Sequence, residues 1–412
     1  MDQVDLDGPT AEERDPFEEF NRAMGADGDA SPYPDFAAFR AAAPIHGSAV
    51  DLPEPDGEAI EGLAIYTAYS YEAVHAILAD GENFSSAAYS EVMGPVLGRS
   101  ILEMDEPEHH AYRSLLQQAF TRKAMERWET ELVEPLVHEM IDAFADAGEA
   151  DLVRQLLFPF PVTVIAALLG LPHEDRHEFH RLAVELVGVT VDWDRAIAAS
   201  AQLREYFAGL VAERRTAPAD DIISVLASAE HDGQHLTDEE IYSFLRLLLP
   251  AGAETTYRSS SNLLFGLLSD PDQFDALRAD RSLFDQAIEE GIRWEPPLLI
   301  IVRTAVREVE VCGVTLPAGA FVICNMGSAN HDDTRWADPE RFDIFRDRRP
   351  HIGFAHGSHR CLGMHLARME TRVALTALMD RLPGLRLDPD AGHQYISGMT
   401  FRAPPQLRVR WG

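Results

Sequence analysis

From about residue 105 to residue 293 nearly every segment of this chain repeats its apolar residues with helical period, and no other feature narrows the fold as far. Helices fit ELVEPLVHEMIDAFADAG, FPVTVIAALLGL, HEFHRLAVELVG, WDRAIAASAQLREYFAGLVAERR and ADDIISVLASA. A long helix follows over roughly 237–267, then two more near 271–280 and 283–294. Asp105 and Glu108 form a D-x-x-E capping box before a helix reaching Ala119. Towards the N-terminus, 34–44 reads as a helix stopped by Pro44, 63–70 as a strand, 71–80 as a helix and 82–100 as a loop. After residue 300 the period changes. Residues 304–326 alternate and turn, which predicts two or three short strands, and the tail from Leu385 reads as hairpins. The fold class that follows is mainly α with small β-sheets (α+β), in one large domain over 31–412. Residues 1–30 read as an acidic, mobile arm.

The 412 residues carry 35 Lys and Arg against 69 Asp and Glu, a formal charge of -34. So acidic a surface argues against nucleic acid or an anionic membrane as partner. No stretch of about 18 uninterrupted apolar residues suggests a membrane span. The first residues, MDQVDLDGPTAEERD, are acidic, unlike a signal peptide. Cys312, Cys324 and Cys361 are the only cysteines and none form C-x-x-C, so a zinc ribbon or redox dithiol is disfavoured and a cytoplasmic, reduced protein is expected.

Cys361 stands where a glycine-rich loop, HIGFAHGSHRCLG, gives way to an apolar helix. A thiolate at a helix start gains from the positive helix end and its free N–H groups, which suits an anionic ligand. A buried structural thiol is the commonest fate of a lone cysteine. A nucleophile paired with His356, His359 or His365 is a third reading. Residues alone leave these open.

FAHGSHRCLG matches F-x-x-G-x-H-x-C-x-G and resembles the haem-binding loop of the cytochrome P-450 superfamily of haem-thiolate monooxygenases. The resemblance implies haem b as cofactor, O2 as co-substrate and Cys361 as thiolate ligand to the iron. It further implies Phe354 packed beside the sulfur, His359 on a haem propionate and the Gly363 N–H near the sulfur. Thiolate ligation favours O–O cleavage. Other segments agree in colinear order over about 31–412. His109 and Arg113, in DEPEHHAYR, lie at i and i+4 and match the family's propionate-binding pair; Arg303 matches a third such position. Such pairs are also routine surface ion-pair partners. Leu248, Ala251, Gly252, Thr255 and Ser259 share one face of the long helix, and Pro250 would kink it. Small residues there also permit close helix packing. Ala251, Gly252, Glu254 and Thr255 match A-G-x-[DE]-T, the oxygen-binding segment, which implies that Thr255 hydrogen-bonds the oxygen co-substrate and Glu254 feeds protons through water. Glu290, Arg293 and Arg341 match segments that imply a buried structural ion network.

The resemblance places the substrate pocket at Val92, Met93, Val96 and Leu97, at Leu248, Leu299 and Ile300, and at Met399 and Phe401. Their apolar character implies a lipophilic substrate such as a terpenoid, steroid, fatty acid or aromatic. Hydroxylation is the expected reaction. Ring coupling, desaturation, peroxygenase chemistry and a non-catalytic haem-binding protein are the alternatives. The chain carries no flavin or iron–sulfur motif, so a ferredoxin and its NAD(P)H-linked reductase are expected as electron donors. A basic face near the cysteine loop should receive them, with Arg122, Lys123, Arg127, Arg346, Arg348, Arg349, Arg360 and Arg368 as candidates; singly, each also reads as a solvated cation.

Overall fold

The computed structural model describes residue 18, residues 21–22, residue 28, and residues 31–412 other than 54–58 and 189–191. The expectation of a mobile arm over 1–30 therefore falls largely outside the described residues. Helices dominate, and one continuous apolar core joins those between residues 96 and 294 with the helix Met364–Arg381 and the C-terminal strand. A second, smaller core lies under a sheet whose order is Ile45–Pro53, Ala59–Ala68, Phe321–Asn325, Ile300–Ala305 and Phe84–Ser85. Three of its four pairings are antiparallel; Phe321–Asn325 runs parallel to Ala59–Ala68. The tail returns as short strands, Arg386–Leu387 and Arg408–Arg410, the latter also pairing Glu149–Asp151.

The expected helices are present, and three local readings need correction. Residues 82–100 are not simply a loop: they hold the strand Phe84–Ser85 and a helix, Tyr89–Leu97. Gly94 and Pro95 depress helix propensity there, but Val96 and Leu97 are fully buried and the Val96 carbonyl is claimed by Arg246 Nη1 (3.4 Å) and by the Ser200 hydroxyl. The capping box at Asp105 does not form. The helix starts at Glu108, and the Asp105 carboxylate instead accepts from the Ser85 hydroxyl (2.5 Å) and the Ser86 N–H (2.8 Å). The long helix is interrupted: Asp238–Leu248 passes into a π-wound segment, Leu249–Glu254, and regains α geometry over Thr255–Ser269. Pro250 has no N–H to give the preceding turn and Gly252 weakens the α-helix locally, so the register slips into a wider turn where the sequence predicts a kink.

A buried polar cluster ties the N-terminal helix Tyr33–Ala42 to this body. The Tyr33 hydroxyl donates to Glu295 (2.6 Å), which also binds Arg402 Nε (2.8 Å). The Tyr33 ring stacks on His331, with centroids 3.7 Å apart. His331 is 1% exposed; its Nδ1 lies 3.0 Å from the Gly327 carbonyl and its Nε2 has no partner. Burial, reinforced by Arg293, holds this imidazole neutral well below its usual titration range. Below about pH 6.5 the unfolded chain takes up a proton that the folded chain refuses, so stability is lost as pH falls, by about 1.4 kcal/mol per pH unit for this group. Urea melts between about pH 7 and pH 5 should show that slope, and His331→Asn should reduce it by that amount.

Candidate active site

Cys361 opens the turn before Met364–Arg381 and is partly exposed. Its N–H donates to the Phe354 carbonyl (2.9 Å), and Ala355 N–H and Arg360 N–H close turns onto Ile352 (2.9 Å) and Gly357 (3.1 Å). Two glycines hold this loop against the rest of the chain. A Cβ on Gly357, where φ is +75°, would sit 2.0 Å from the Leu78 carbonyl oxygen; one on Gly353 would sit 2.5 Å from Ile292 Cγ2. Their smallness thus serves the protein's own packing. Gly363 differs, since a Cβ there meets no protein atom within 4 Å.

Burial pushes the Cys361 thiol up, while the Gly363 N–H and the guanidinium groups of Arg113, Arg368 and Arg360 favour its anion. Arg113 Nη2 also donates to the Arg360 carbonyl (2.7 Å), joining the helix Glu108–Leu116 to the loop. Arg368 lies 4.5 Å over the Phe354 ring and grips Glu289 through two N–H groups at 2.6 and 2.9 Å. Burial acts to raise the Glu289 carboxyl, but His351 and Arg368 outweigh it and hold it at about 2.

On the other side of the loop, His109, Arg113, Arg303 and His359 come close enough to act on one another electrostatically. The His109 and His359 rings lie 4.1 Å apart. Burial, then His109 and Arg303, push His359 down to about 3. His359 Nε2 lies 3.2 Å from the Ser86 hydroxyl, a neighbour that the sequence reading did not include and that only the fold brings near. Arg303 is buried and donates to the Val302 carbonyl (2.7 Å). His109 Nδ1 contacts Glu106 (3.1 Å), but its Nε2 is buried without any partner. Four cation-capable groups and an orphaned imidazole nitrogen suit a ligand bearing carboxylates. Together with the Cys361 thiol, they fit haem.

The interrupted helix Asp238–Ser269, the distal helix of the haem-binding reading, shows its open face by burial. Thr256 to Leu264 are buried, whereas Ala251 is exposed and Leu248, Gly252 and Thr255 are partly so. The Thr255 hydroxyl donates to the Ala251 carbonyl (2.7 Å), and a Cβ on Gly252 would press Ile165 at 3.1 Å. Glu254 does not share this face. It is 3% exposed and binds Arg258 Nε at 2.5 Å.

The remaining expected positions separate. Met93, Ile300 and Phe401 are partly exposed and Met399 is 71% exposed, whereas Val96 and Leu97 lie wholly within the core. The side chain of Val92 lies outside the described residues. Leu299 is turned away from its neighbours Leu298 and Ile300 and packs on Gly327, as strand alternation requires. In the structural network, Arg293 binds Glu290 through two bonds of 2.8 Å. The third arginine is Arg346 (3.2 Å to Glu290), not Arg341, whose backbone carbonyl alone takes part, accepting from Arg293 (3.2 Å) and Arg346 (2.8 Å). An irregular segment sets that choice, so spacing could not reveal it. Beside the cysteine loop, a cleft of about 570 Å³ is lined by Arg348, Arg349, Arg360 and His365 together with Asp285 and Glu289.

Comparison with known proteins agrees with this geometry. The family model for cytochrome P450 matches residues 186–383. The chain is 36% identical over 403 residues to cytochrome P450 monooxygenase PikC of Streptomyces venezuelae, covering 94% of this chain and 93% of that protein. It is 36% identical over 335 residues to the steroid C26-monooxygenase of Mycobacterium tuberculosis, covering 80% and 89%. Among solved structures, CYP109E1 of Bacillus megaterium in complex with testosterone superposes with a TM-score of 0.83 at 32% identity, covering 93% of this chain and 100% of that one.

The loop geometry makes a direct prediction. Gly357→Ala should destabilise the protein by roughly 3 kcal/mol, because the backbone is left-handed and the Leu78 carbonyl cannot yield. Gly363→Ala in ligand-free protein should cost well under about 1 kcal/mol. Chemical denaturation of the two variants measures both.

Proposed function

This chain belongs to the cytochrome P450 family and is a haem-thiolate monooxygenase; from that premise we propose that it hydroxylates a lipophilic small molecule, using electrons from a ferredoxin and its NAD(P)H-linked reductase in the cytoplasm. The observation that carries the reading is the partly buried Cys361 thiol, with one backbone N–H and three guanidinium groups acting on it. The cofactor, haem b in this proposal, supplies reductive activation of O2 and the oxidising equivalent. The chain's own residues do the rest. Cys361 would be the iron ligand; Arg113, Arg368 and Arg360 favour its anion against the burial that pushes the free thiol up. His109, Arg113, Arg303 and His359 hold the propionates, with the orphaned His109 Nε2 as a donor ready for one carboxylate oxygen. Thr255, on the open face of the distal helix, positions and passes protons, and Glu254 supplies them.

A lipophilic substrate is supported by the apolar, partly exposed side chains of Leu248, Leu298, Ile300 and Phe401. A steroid is the first class to test, since one relative is named a steroid C26-monooxygenase and a structural neighbour holds testosterone. Among the described residues no helix is long and apolar enough to cross a membrane.

Reduced protein under carbon monoxide should show the thiolate absorption signature, and Cys361→Ser should lose it while retaining fold by circular dichroism. A colourless wild-type preparation would sink the proposal. Thr255→Ala should lower product formed per electron pair by on the order of tenfold while NADH consumption continues, read as released peroxide. Reduction by a ferredoxin should slow as ionic strength rises, with Arg348→Glu and Arg349→Glu removing most of that dependence in stopped-flow traces.

A further inference from the structure

The cleft of about 570 Å³ beside the cysteine loop has three walls: the helix Phe284–Trp294, the segment leading to Pro350, and the cysteine loop with the start of Met364–Arg381. Six arginines line it against four acids, in a chain whose formal charge is -34. Two of those acids are outnumbered where they stand. Glu289 is shared by Arg368 (2.6 Å) and His351 (3.2 Å), and Glu290 by Arg293 (2.8 Å) and Arg346 (3.2 Å). Arg348, Arg349 and Arg360 are exposed and have no ion pair among the described residues, although the chain carries 69 acids. They come from two different walls. His365 senses the resulting field: burial, then Arg368 and Arg360, push its imidazole below the usual range, against Glu289. A concave surface of one sign concentrates its field on whatever enters. The volume falls among the roughly 300–1,000 Å³ of sites that take small molecules. Such sites are mostly apolar, whereas this lining is charged, so its ligand must carry the opposite charge.

We propose that this cleft binds a compact polyphosphate, with Arg348 and Arg349 on one wall and Arg360 on another each taking a phosphoryl group, and that the bound anion slows electron delivery. The site stands on the cleft alone; its effect on reduction rests on the reading that an electron donor docks on the same arginines. A guanidinium gives two parallel N–H bonds to the oxygens of one phosphoryl group. A diphosphate offers two such groups, one for each wall. Orthophosphate offers one and meets one wall at a time. A carboxylate on a docking protein likewise meets one guanidinium and needs no cleft. Once bound, the polyphosphate cancels the excess charge of the lining, and the acidic surface around it then turns an acidic donor away.

Calorimetric titration of haem-loaded wild type with sodium pyrophosphate tests the site without turnover, at neutral pH and with sodium chloride adjusted to constant ionic strength. One pyrophosphate should bind per chain, roughly tenfold or more tighter than orthophosphate. R348Q/R349Q and, separately, R360Q should each weaken it by roughly tenfold. R386Q/R408Q removes two exposed arginines outside the cleft and should change the affinity by less than about twofold. Stopped-flow reduction of wild type by a ferredoxin, at the same ionic strength, should slow as pyrophosphate is added, with half the effect at the calorimetric Kd. Absence of saturable binding, equal affinity for orthophosphate, or equal weakening by R386Q/R408Q overturns the site. If R348Q/R349Q slows reduction while pyrophosphate fails to bind, the inference falls and the docking reading stands. If pyrophosphate binds as stated but neither it nor R348Q/R349Q alters reduction, the docking reading falls, and the site stands without its effect on electron delivery.

Discussion

The partly buried Cys361 sulfur, and the charge gathered round it, is the constraint on which the surrounding structure depends. Burial alone would keep Cys361 protonated, so the chain surrounds the sulfur with a backbone N–H and three guanidinium groups. Those cations need anchors of their own, or they would repel one another. Arg368 finds one in Glu289, shared with His351, and Arg113 finds one in the Arg360 carbonyl. Glu289 belongs to the helix Phe284–Trp294, and the next residue, Glu290, faces elsewhere to hold Arg293 and Arg346. Two adjacent acids on one helix thus secure both the charge around the sulfur and the irregular segment from Asn330 to Arg346. The extreme closeness of Gly353 to Ile292, on the same helix, follows from this arrangement.

The buried ion pairs share a geometry that argues for placement over stability. Taking two charges out of water can cost as much as their attraction returns, so replacing such a pair by apolar residues is often neutral. What an apolar pair cannot do is fix direction. Arg293 reaches the carbonyls of Asn330 (3.1 Å) and Pro339 (2.7 Å) while bound to Glu290. Arg402 reaches the Gly398 carbonyl (2.6 Å) while bound to Glu295. In each case a carboxylate aims a guanidinium at backbone that has no sheet or helix to define it. The turn carrying Met399 and Phe401 is set this way, which connects a core ion pair to an irregular, partly exposed segment.

Much of this was legible from local pattern. The cysteine loop, the i, i+4 pair His109 and Arg113, and the small residues before Thr255 each express one requirement within a few residues, and the helical period of 105–293 survives almost intact. What failed to show was set by partners far away in sequence. Asp105 looks like a helix cap, yet Ser85 and Ser86 outbid the helix for it because the strand Phe84–Ser85 brings two donors at once. Residues 89–97 contain Gly94 and Pro95, and only the packing of Val96 and Leu97 and the capture of the Val96 carbonyl make them helical. Arg341 and Arg346 stand in the same loop, and nothing in spacing tells which side chain turns inward. Glu254 was read by its neighbour in the motif, whereas helix geometry pairs it with Arg258, four residues on.

Charge distribution carries the last step. A chain with formal charge -34 repels acidic partners over most of its surface. The arginines near the cysteine loop are not equally able to offset this. Arg122, Arg127, Arg346 and Arg368 are bound to Glu126, Asp220, Glu290 and Glu289, so each adds little net field. Arg348, Arg349 and Arg360 have no ion pair among the described residues, and all three line the cleft beside the loop. With screening over about 8 Å at physiological salt, a partner senses this cleft only once it is close. The surrounding acid then acts as repulsion against every other approach, so the field selects an orientation more than it adds affinity.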